Sequence, residues 1–245
     1  MANPQKIKAE VEEIVSYGCQ VFKLVFKTEK KFPRFKAGQF LHLTLDNFDP
    51  TTGFWPESRV FSIASCSDDR KEVSIVYSVK GIYTKKMEDS LSVGSSVWLK
   101  APYGEFIISK YIKGNETSVL IAGGTGVSPF IPYLKQAGIS NPIQLNYGLR
   151  NKDLMIFENE LAEVLDRDNF LLNLYLEEIS DTIPVSGNLA VKEGLLSVNS
   201  ILEGVKDKRN SVFFISGPPT MIELFQKQLI QSGIEKEKII VDEWG

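Results

Sequence analysis

Leu120-Ile121-Ala122-Gly123-Gly124-Thr125-Gly126-Val127-Ser128-Pro129-Phe130 reads as a buried strand that ends in a glycine turn and passes directly into a helix. The backbone N–H groups of such a turn, together with a helix N-terminus, form a cradle for phosphate. Gly124 and Gly126 let the chain turn tightly and approach a ligand closely, and Thr125 supplies a hydroxyl. Pro129 suits the first helical turn, where its missing N–H costs nothing. The stretch departs from the common dinucleotide fingerprint. Pro129 stands where a third glycine is usual, and the following strand runs into Tyr147-Gly148-Leu149-Arg150 instead of an acidic residue. The ordinary dinucleotide-binding dehydrogenase pattern is therefore disfavoured.

Outward from that stretch, apolar strands alternate with amphipathic helices. Strands are expected at 119–122, 143–147, 171–175, 212–215 and 238–241, and helices at 127–137, 157–165, about 191–196 and 221–232. That alternation means a doubly wound parallel α/β domain with right-handed crossovers. Before it lie six short alternating segments at 6–17, 20–28, 39–45, 59–65, 72–78 and 96–100, separated by turn residues and interrupted by one short helix at 84–90. They suggest a small antiparallel six-stranded β-barrel. The expected organisation is thus an α+β two-domain chain, 1–112 and 113–245, divided in the polar stretch near 110–116. In open α/β sheets a ligand lies beyond the carboxyl ends of the strands, which places the barrel opposite residues 123–128 and 216–219 across a cleft.

The bulk properties narrow the function. At 245 residues with 43% hydrophobic content the chain can build two cores, and a net charge of −3 with a pI near 5.4 argues against nucleic acid as the main partner. The amino-terminal residues lack an apolar targeting region and no window is long and apolar enough for a bilayer span, so a soluble cytoplasmic protein is expected. Cys19 and Cys66 cannot supply a four-thiolate iron–sulfur site and are expected to be small buried apolar residues. His42, the single histidine, is expected on the polar face of a strand, and no metal site is expected.

The first domain carries phosphate chemistry of its own. Arg59-Val60-Phe61-Ser62 lies in a strand, and Val76-Tyr77-Ser78-Val79-Lys80-Gly81-Ile82-Tyr83-Thr84 is a strand, a glycine and a hydroxyl placed to cap a short helix. Arg59 can pair with a diphosphate that the Gly81 to Thr84 helix start also receives. Two phosphate sites in two domains suggest two nucleotides.

With these motifs assembled, the chain resembles the ferredoxin-NADP reductase family over nearly its whole length. The resemblance rests on Gly38-Gln39-Phe40, Arg59-Val60-Phe61-Ser62, Gly81-Ile82-Tyr83-Thr84, Pro102-Tyr103-Gly104-Glu105-Phe106, the 123–129 loop, Tyr147-Gly148-Leu149-Arg150 and Ser216-Gly217-Pro218-Pro219-Thr220-Met221, in the family's order. It implies a flavin barrel holding FAD, with Val60, Val76, Tyr77, Ser78, Lys80, Gly81, Tyr83 and Thr84 around the flavin. It implies a second domain that binds NADH or NADPH through Gly124, Thr125, Gly126, Arg150, Gly217, Pro218 and Met221. In that family the arginine of the Arg-x-Tyr-Ser motif meets the flavin diphosphate, the aromatic packs on the flavin, and the serine hydrogen-bonds toward flavin N5. Those roles fall to Arg59, Phe61 and Ser62, with Phe61 lacking the usual phenolic hydroxyl. Ser216 stands where a cysteine beside the nicotinamide is common. The ending Asp242-Glu243-Trp244-Gly245 resembles the family's terminus, which makes Glu243 the acidic group and Trp244 the aromatic near the flavin.

Donor choice turns on the end of the third α/β strand. Glu177-Glu178 suits the free ribose hydroxyl of NADH, whereas Arg150 can meet the 2′-phosphate of NADPH; NADH is favoured. A basic edge of Lys23, Lys27, Lys30, Lys31, Arg34 and Lys36 could dock an acidic carrier such as ferredoxin or flavodoxin, but an ordinary soluble hairpin accounts for it better. The expected activity is hydride transfer from NAD(P)H to FAD, then electrons to a separate acceptor. The alternatives are an electron-transfer subunit of a larger complex and a flavin-bound sensor without turnover.

Overall fold

The computed structural model describes residues 4–179 and 187–243. Its contacts divide the chain into Met1–Glu105 and Phe106–Gly245.

The first unit contains β1 (Gln5–Ser16), β2 (Val21–Thr28), β3 (Phe40–Thr44), β4 (Arg59–Ser62), β5 (Ser65–Cys66), β6 (Glu72–Ser78), α1 (Ile82–Ser90) and β7 (Ser96–Tyr103). The strands form one antiparallel sheet in the order β4-β3-β7-β1-β2-β6-β5. Alternation sorts the side chains: along β1, Ile7, Ala9 and Val11 enter the core, while Lys8 and Glu10 face water. The expected fourth strand divides into β4 and β5, so the sheet has seven strands instead of six. The break lies at Ile63 and Ala64, both fully buried. The Ile63 N–H donates to Gln39 O and the Ala64 N–H to Ser74 O, so the chain crosses from the β3 side of the curled sheet to the β6 side. Leu24, Phe26, Leu41, Leu43, Ile75 and Leu99 fill the interior, each worth about 1.5–3 kcal/mol in burial.

Three local expectations for this unit change. The short helix begins at Ile82, so Thr84 sits inside its first turn, where its hydroxyl accepts from the Lys80 and Gly81 N–H groups. Cys19 is exposed, because Gly18, Cys19 and Gln20 all take positive φ in the β1–β2 turn. Cys66 is half-buried, and burial pushes its thiol up to about 11.

The second unit contains α2 (Ile108–Tyr111), β8 (Thr117–Gly123), a 3-10 helix (Gly124–Phe130), α3 (Ile131–Leu134), β9 (Ile143–Leu149), α4 (Glu158–Leu165), β10 (Phe170–Leu176), β11 (Leu189–Glu193), α5 (Val198–Glu203), β12 (Ser211–Ser216), α6 (Pro219–Gln231) and β13 (Ile239–Val241). Its sheet is parallel in the order β11-β10-β9-β8-β12-β13. The chain builds outward from β8 to β11, then returns to place β12 on the other side of β8. That reversal is the topological switch point, where open α/β sheets bind ligands.

Two helices differ from expectation here. Residues 191–193 belong to edge strand β11, and the helix starts later, at α5, where the Ser197 side chain accepts from the Ser200 N–H. The helix expected over 127–137 is a 3-10 turn followed by the four-residue α3. Pro129 and Pro132 each remove an N–H donor, which breaks a continuous α-helical ladder.

Candidate functional site

At the switch point the loop after β8 packs directly on the loop after β12. A Cβ on Gly126 would fall on the Ser216 carbonyl oxygen and 2.7 Å from Gly217 Cα, and one on Gly123 would lie 2.7 Å from Met221 Sδ. At Gly126 two backbones meet, whereas at Gly123 the backbone lies against the Met221 and Pro218 side chains. Gly124 differs: its φ is +54° and nothing lies within 4 Å of where a Cβ would stand. The glycines thus divide the work, with Gly126 closing the loops on each other and Gly124 giving a left-handed turn with open space beside it. Pro218 and Pro219 begin α6 at the same end of the sheet, and Met221 in its first turn packs back on Gly123 and Gly217. Thr125 joins the arrangement through its carbonyl, which accepts from the Ser128 hydroxyl at 2.8 Å.

Ser216 closes β12 and is 2% exposed, and its hydroxyl donates to Asp242 Oδ2 at 2.9 Å. Asp242 is equally buried. Burial pushes its carboxyl up to about 7, against the opposing pull of the Ser216 hydrogen bond. Of the two terminal acidic residues, Asp242 is the one joined to Ser216, whereas Glu243 is exposed. Sequence reasoning singled out Glu243 and passed over Asp242. The missing signal is the strand register: Ile215 pairs with Val241, so Ser216 and Asp242 stand next to each other beyond that pair. Trp244 lies outside the described residues.

At the far side of β8 the structure brings together the two groups relevant to donor choice. The Glu177 N–H donates to Leu149 O at 3.1 Å and the Glu178 N–H to Arg150 O at 2.8 Å. Arg150, Glu177 and Glu178 are therefore neighbours along one exposed edge.

The barrel gathers the other expected site residues. The Arg59 guanidinium lies over the Tyr83 ring, 4.7 Å from its centroid, and donates to Glu57 Oε1 at 2.8 Å and Ser58 O at 2.9 Å. Tyr83 is 5% exposed and firmly held: its hydroxyl donates to Leu43 O at 3.0 Å and accepts from the Leu45 N–H at 3.2 Å, and burial raises its pKa. Phe61 packs edge-on to Tyr77, with ring centroids 6.2 Å apart, and belongs to the barrel core. Tyr77 also stacks on Phe22, and burial pushes its hydroxyl up to about 12. Val76 is buried, while Val60 and Ser78 are half-buried. Ser62 is 6% exposed, and its hydroxyl makes no hydrogen bond to another described residue. Lys80 and Gly81 are exposed beside the start of α1, with open space next to Gly81. A surface cavity of about 670 Å³ along α1 is lined by Lys80, Gly81, Lys85 and their neighbours but not by Arg59, Phe61 or Ser62, so it is not the expected flavin pocket.

Two further motifs serve the barrel wall. Gln39 Nε2 donates to Gly104 O, and Phe40 stacks on Tyr103 at 5.9 Å, which joins Gly38-Gln39-Phe40 to Pro102-Tyr103-Gly104. His42 lies against Tyr103 and Ser58, and burial together with Lys100 lowers its pKa. Among the described residues no cluster of His, Cys, Asp or Glu is able to hold a metal, and no helix is long and apolar enough to cross a membrane. Of the basic edge, Lys27 pairs with Glu12 at 3.7 Å, and Lys30, Lys31, Arg34 and Lys36 are exposed.

A parallel sheet with a glycine-lined switch point, preceded by a curled antiparallel sheet, defines a nucleotide-binding type of α/β domain that follows a half-barrel. Residues 120–227 match the oxidoreductase NAD-binding domain. The reductase component of propane 2-monooxygenase from Gordonia is 27% identical over 229 residues, covering 88% of this chain, which spans 61% of that relative's length. The NAD(P)H-flavin reductase of Vibrio harveyi is 24% identical over 250 residues, covering 98% of each chain. The structure of a ferredoxin NADP+ reductase from Neisseria gonorrhoeae shares the fold with a TM-score of 0.72, at 18% identity and with 98% of each chain covered. Residues 120–227 are thus an oxidoreductase NAD-binding domain, and the chain as a whole has the fold seen in ferredoxin NADP+ reductase.

Proposed function

We propose that the chain is an NAD(P)H-dependent flavin reductase of the ferredoxin reductase type. NAD(P)H binds the second unit and gives hydride to FAD bound by the first, and electrons pass on to a separate acceptor such as ferredoxin, flavodoxin or free flavin. The observation that carries this reading is the switch point, where Gly124 offers an open left-handed turn beside the packed loops of Gly123, Gly126 and Gly217. It is supported by the NAD-binding-domain match and by relatives named as flavin reductase and reductase component.

The barrel residues fit a flavin phosphate and its ring system. Arg59 has a planar guanidinium lying over Tyr83, the first turn of α1 begins at an exposed glycine, and the Ser62 hydroxyl has no hydrogen bond among the described residues. Bound there, a flavin supplies the redox chemistry, accepting hydride and releasing electrons onward. Arg59 holds the phosphate, Phe61 and Tyr77 build the wall, and Ser62 donates a hydrogen bond toward the flavin ring. In the second unit Gly124, Thr125 and the start of α6 receive the dinucleotide phosphates, and Ser216 lies by the nicotinamide, its hydroxyl oriented by Asp242. The exposed pair Glu177 and Glu178 favours NADH over NADPH, because carboxylates accept a ribose hydroxyl and repel a phosphate dianion. The basic edge serves as the landing face for an acidic carrier.

Steady-state oxidation of NADH and NADPH with added FAD and FMN tests the proposal. Flavin-dependent turnover with a higher kcat/KM for NADH supports it. Tight binding of NADH with no oxidation under any flavin would point to the sensor reading.

A further inference from the structure

The Arg59 guanidinium, the group that makes the barrel a phosphate site, is already engaged within the chain. Its Nη2 lies 2.8 Å from Glu57 Oε1 and its Nη1 donates to Ser58 O, while Tyr83 holds the guanidinium plane at 4.7 Å. Tyr83 is anchored by Leu43 and Leu45, with a longer contact from its hydroxyl to the Glu57 backbone carbonyl, so the platform under Arg59 does not depend on the Glu57 carboxylate. Tyr83 supports the face of the guanidinium, while the Glu57 carboxylate occupies its Nη2 edge and neutralises the one strong cation of the motif. An incoming flavin phosphate must displace that carboxylate or bind beside a like charge.

We propose that Glu57 sets the flavin affinity of this chain by competing with the flavin phosphate for Arg59, so that phosphorylated flavins bind exchangeably. This rests on the reading of Arg59 as the phosphate partner. Both side chains are about half exposed, 49% for Arg59 and 62% for Glu57, so the competition is screened by salt. Riboflavin has no phosphate and is indifferent to it.

The test is equilibrium titration of the full chain with FAD, FMN and riboflavin, followed by quenching of flavin fluorescence at low and at high salt. At low salt Glu57→Gln tightens FAD and FMN by about three- to tenfold and leaves riboflavin within about twofold; in high salt the gain shrinks. Arg59→Gln weakens FAD, and in the double variant the Glu57→Gln gain disappears because its target is gone. If Glu57→Gln leaves FAD affinity unchanged while Arg59→Gln weakens it, the competition is refuted and the phosphate site stands. An equal gain for riboflavin, or a gain that persists without Arg59, also refutes it. If Arg59→Gln binds FAD as tightly as the wild type, the underlying reading of the flavin site fails instead.

Discussion

Asp242→Asn removes a buried carboxyl without changing its shape, and the consequence for stability has a definite sign. In the folded chain this carboxyl is pushed from 3.8 to about 7 by burial, so between these values the folded state holds a proton that the unfolded state has released. The folded state then binds more protons, and stability falls as pH rises from about 4 to about 7, levelling off above. Each factor of ten in proton affinity is worth about 1.4 kcal/mol, so the rise corresponds to about 4 kcal/mol lost across that window. Asparagine escapes the loss because it never ionises, and its side-chain oxygen still accepts from the Ser216 hydroxyl. The difference between variant and wild type isolates this group, since all other titrations are common to both. Urea unfolding followed by far-ultraviolet circular dichroism at pH 5, 6, 7 and 8 measures it. The stability advantage of Asp242→Asn over the wild type should grow by about 2–3 kcal/mol between pH 5 and pH 8, because part of the loss, roughly 1.5–2 kcal/mol, is already present at pH 5. A difference that stays flat across this range, or a variant less stable at pH 8, would refute the reasoning.

Gly126→Ala forces a Cβ onto the Ser216 carbonyl, so the two switch-point loops must part; a loss of about 2–4 kcal/mol in unfolding free energy and a loss of NADH binding are expected, and native-like stability with intact binding would contradict the packing. Ser62→Ala should slow flavin reduction by about tenfold or more while leaving FAD affinity within about twofold, and unchanged reduction kinetics would remove the role assigned to its hydroxyl. Replacing Glu177 and Glu178 together by Gln should raise kcat/KM for NADPH by about five- to tenfold with NADH little affected; equal changes for both donors would show that this edge does not read the ribose.

The parallel sheet was legible because β8, β9, β10 and β12 are apolar runs buried on both faces, a pattern that few other structures explain. Edge strand β11 was not, since Leu189-Ala190-Val191-Lys192-Glu193 is mostly half-buried, and so short a run does not separate strand from helix. The division of the fourth barrel strand was hidden for a different reason. Ile63 and Ala64 are as apolar as any strand interior, and only their hydrogen bonds to the β3 and β6 sides of the sheet reveal the crossing. For the site, the chemistry of Arg59, Gly124 and Gly126 followed from residue type and order. The partners did not: Asp242 reaches Ser216 through the register of β12 on β13, and Glu57 meets Arg59 through side-chain geometry in a segment without regular structure. Local sequence carries turn chemistry and burial, whereas pairings set by tertiary register have no local signature.

The central claim is that nicotinamide dinucleotide reduces flavin on this chain. Anaerobic stopped-flow mixing of the FAD-loaded protein with NADH and, separately, NADPH tests it most directly. The account predicts bleaching of the flavin absorption band with both donors and faster with NADH; an unbleached band with either nucleotide at saturating concentration would contradict it.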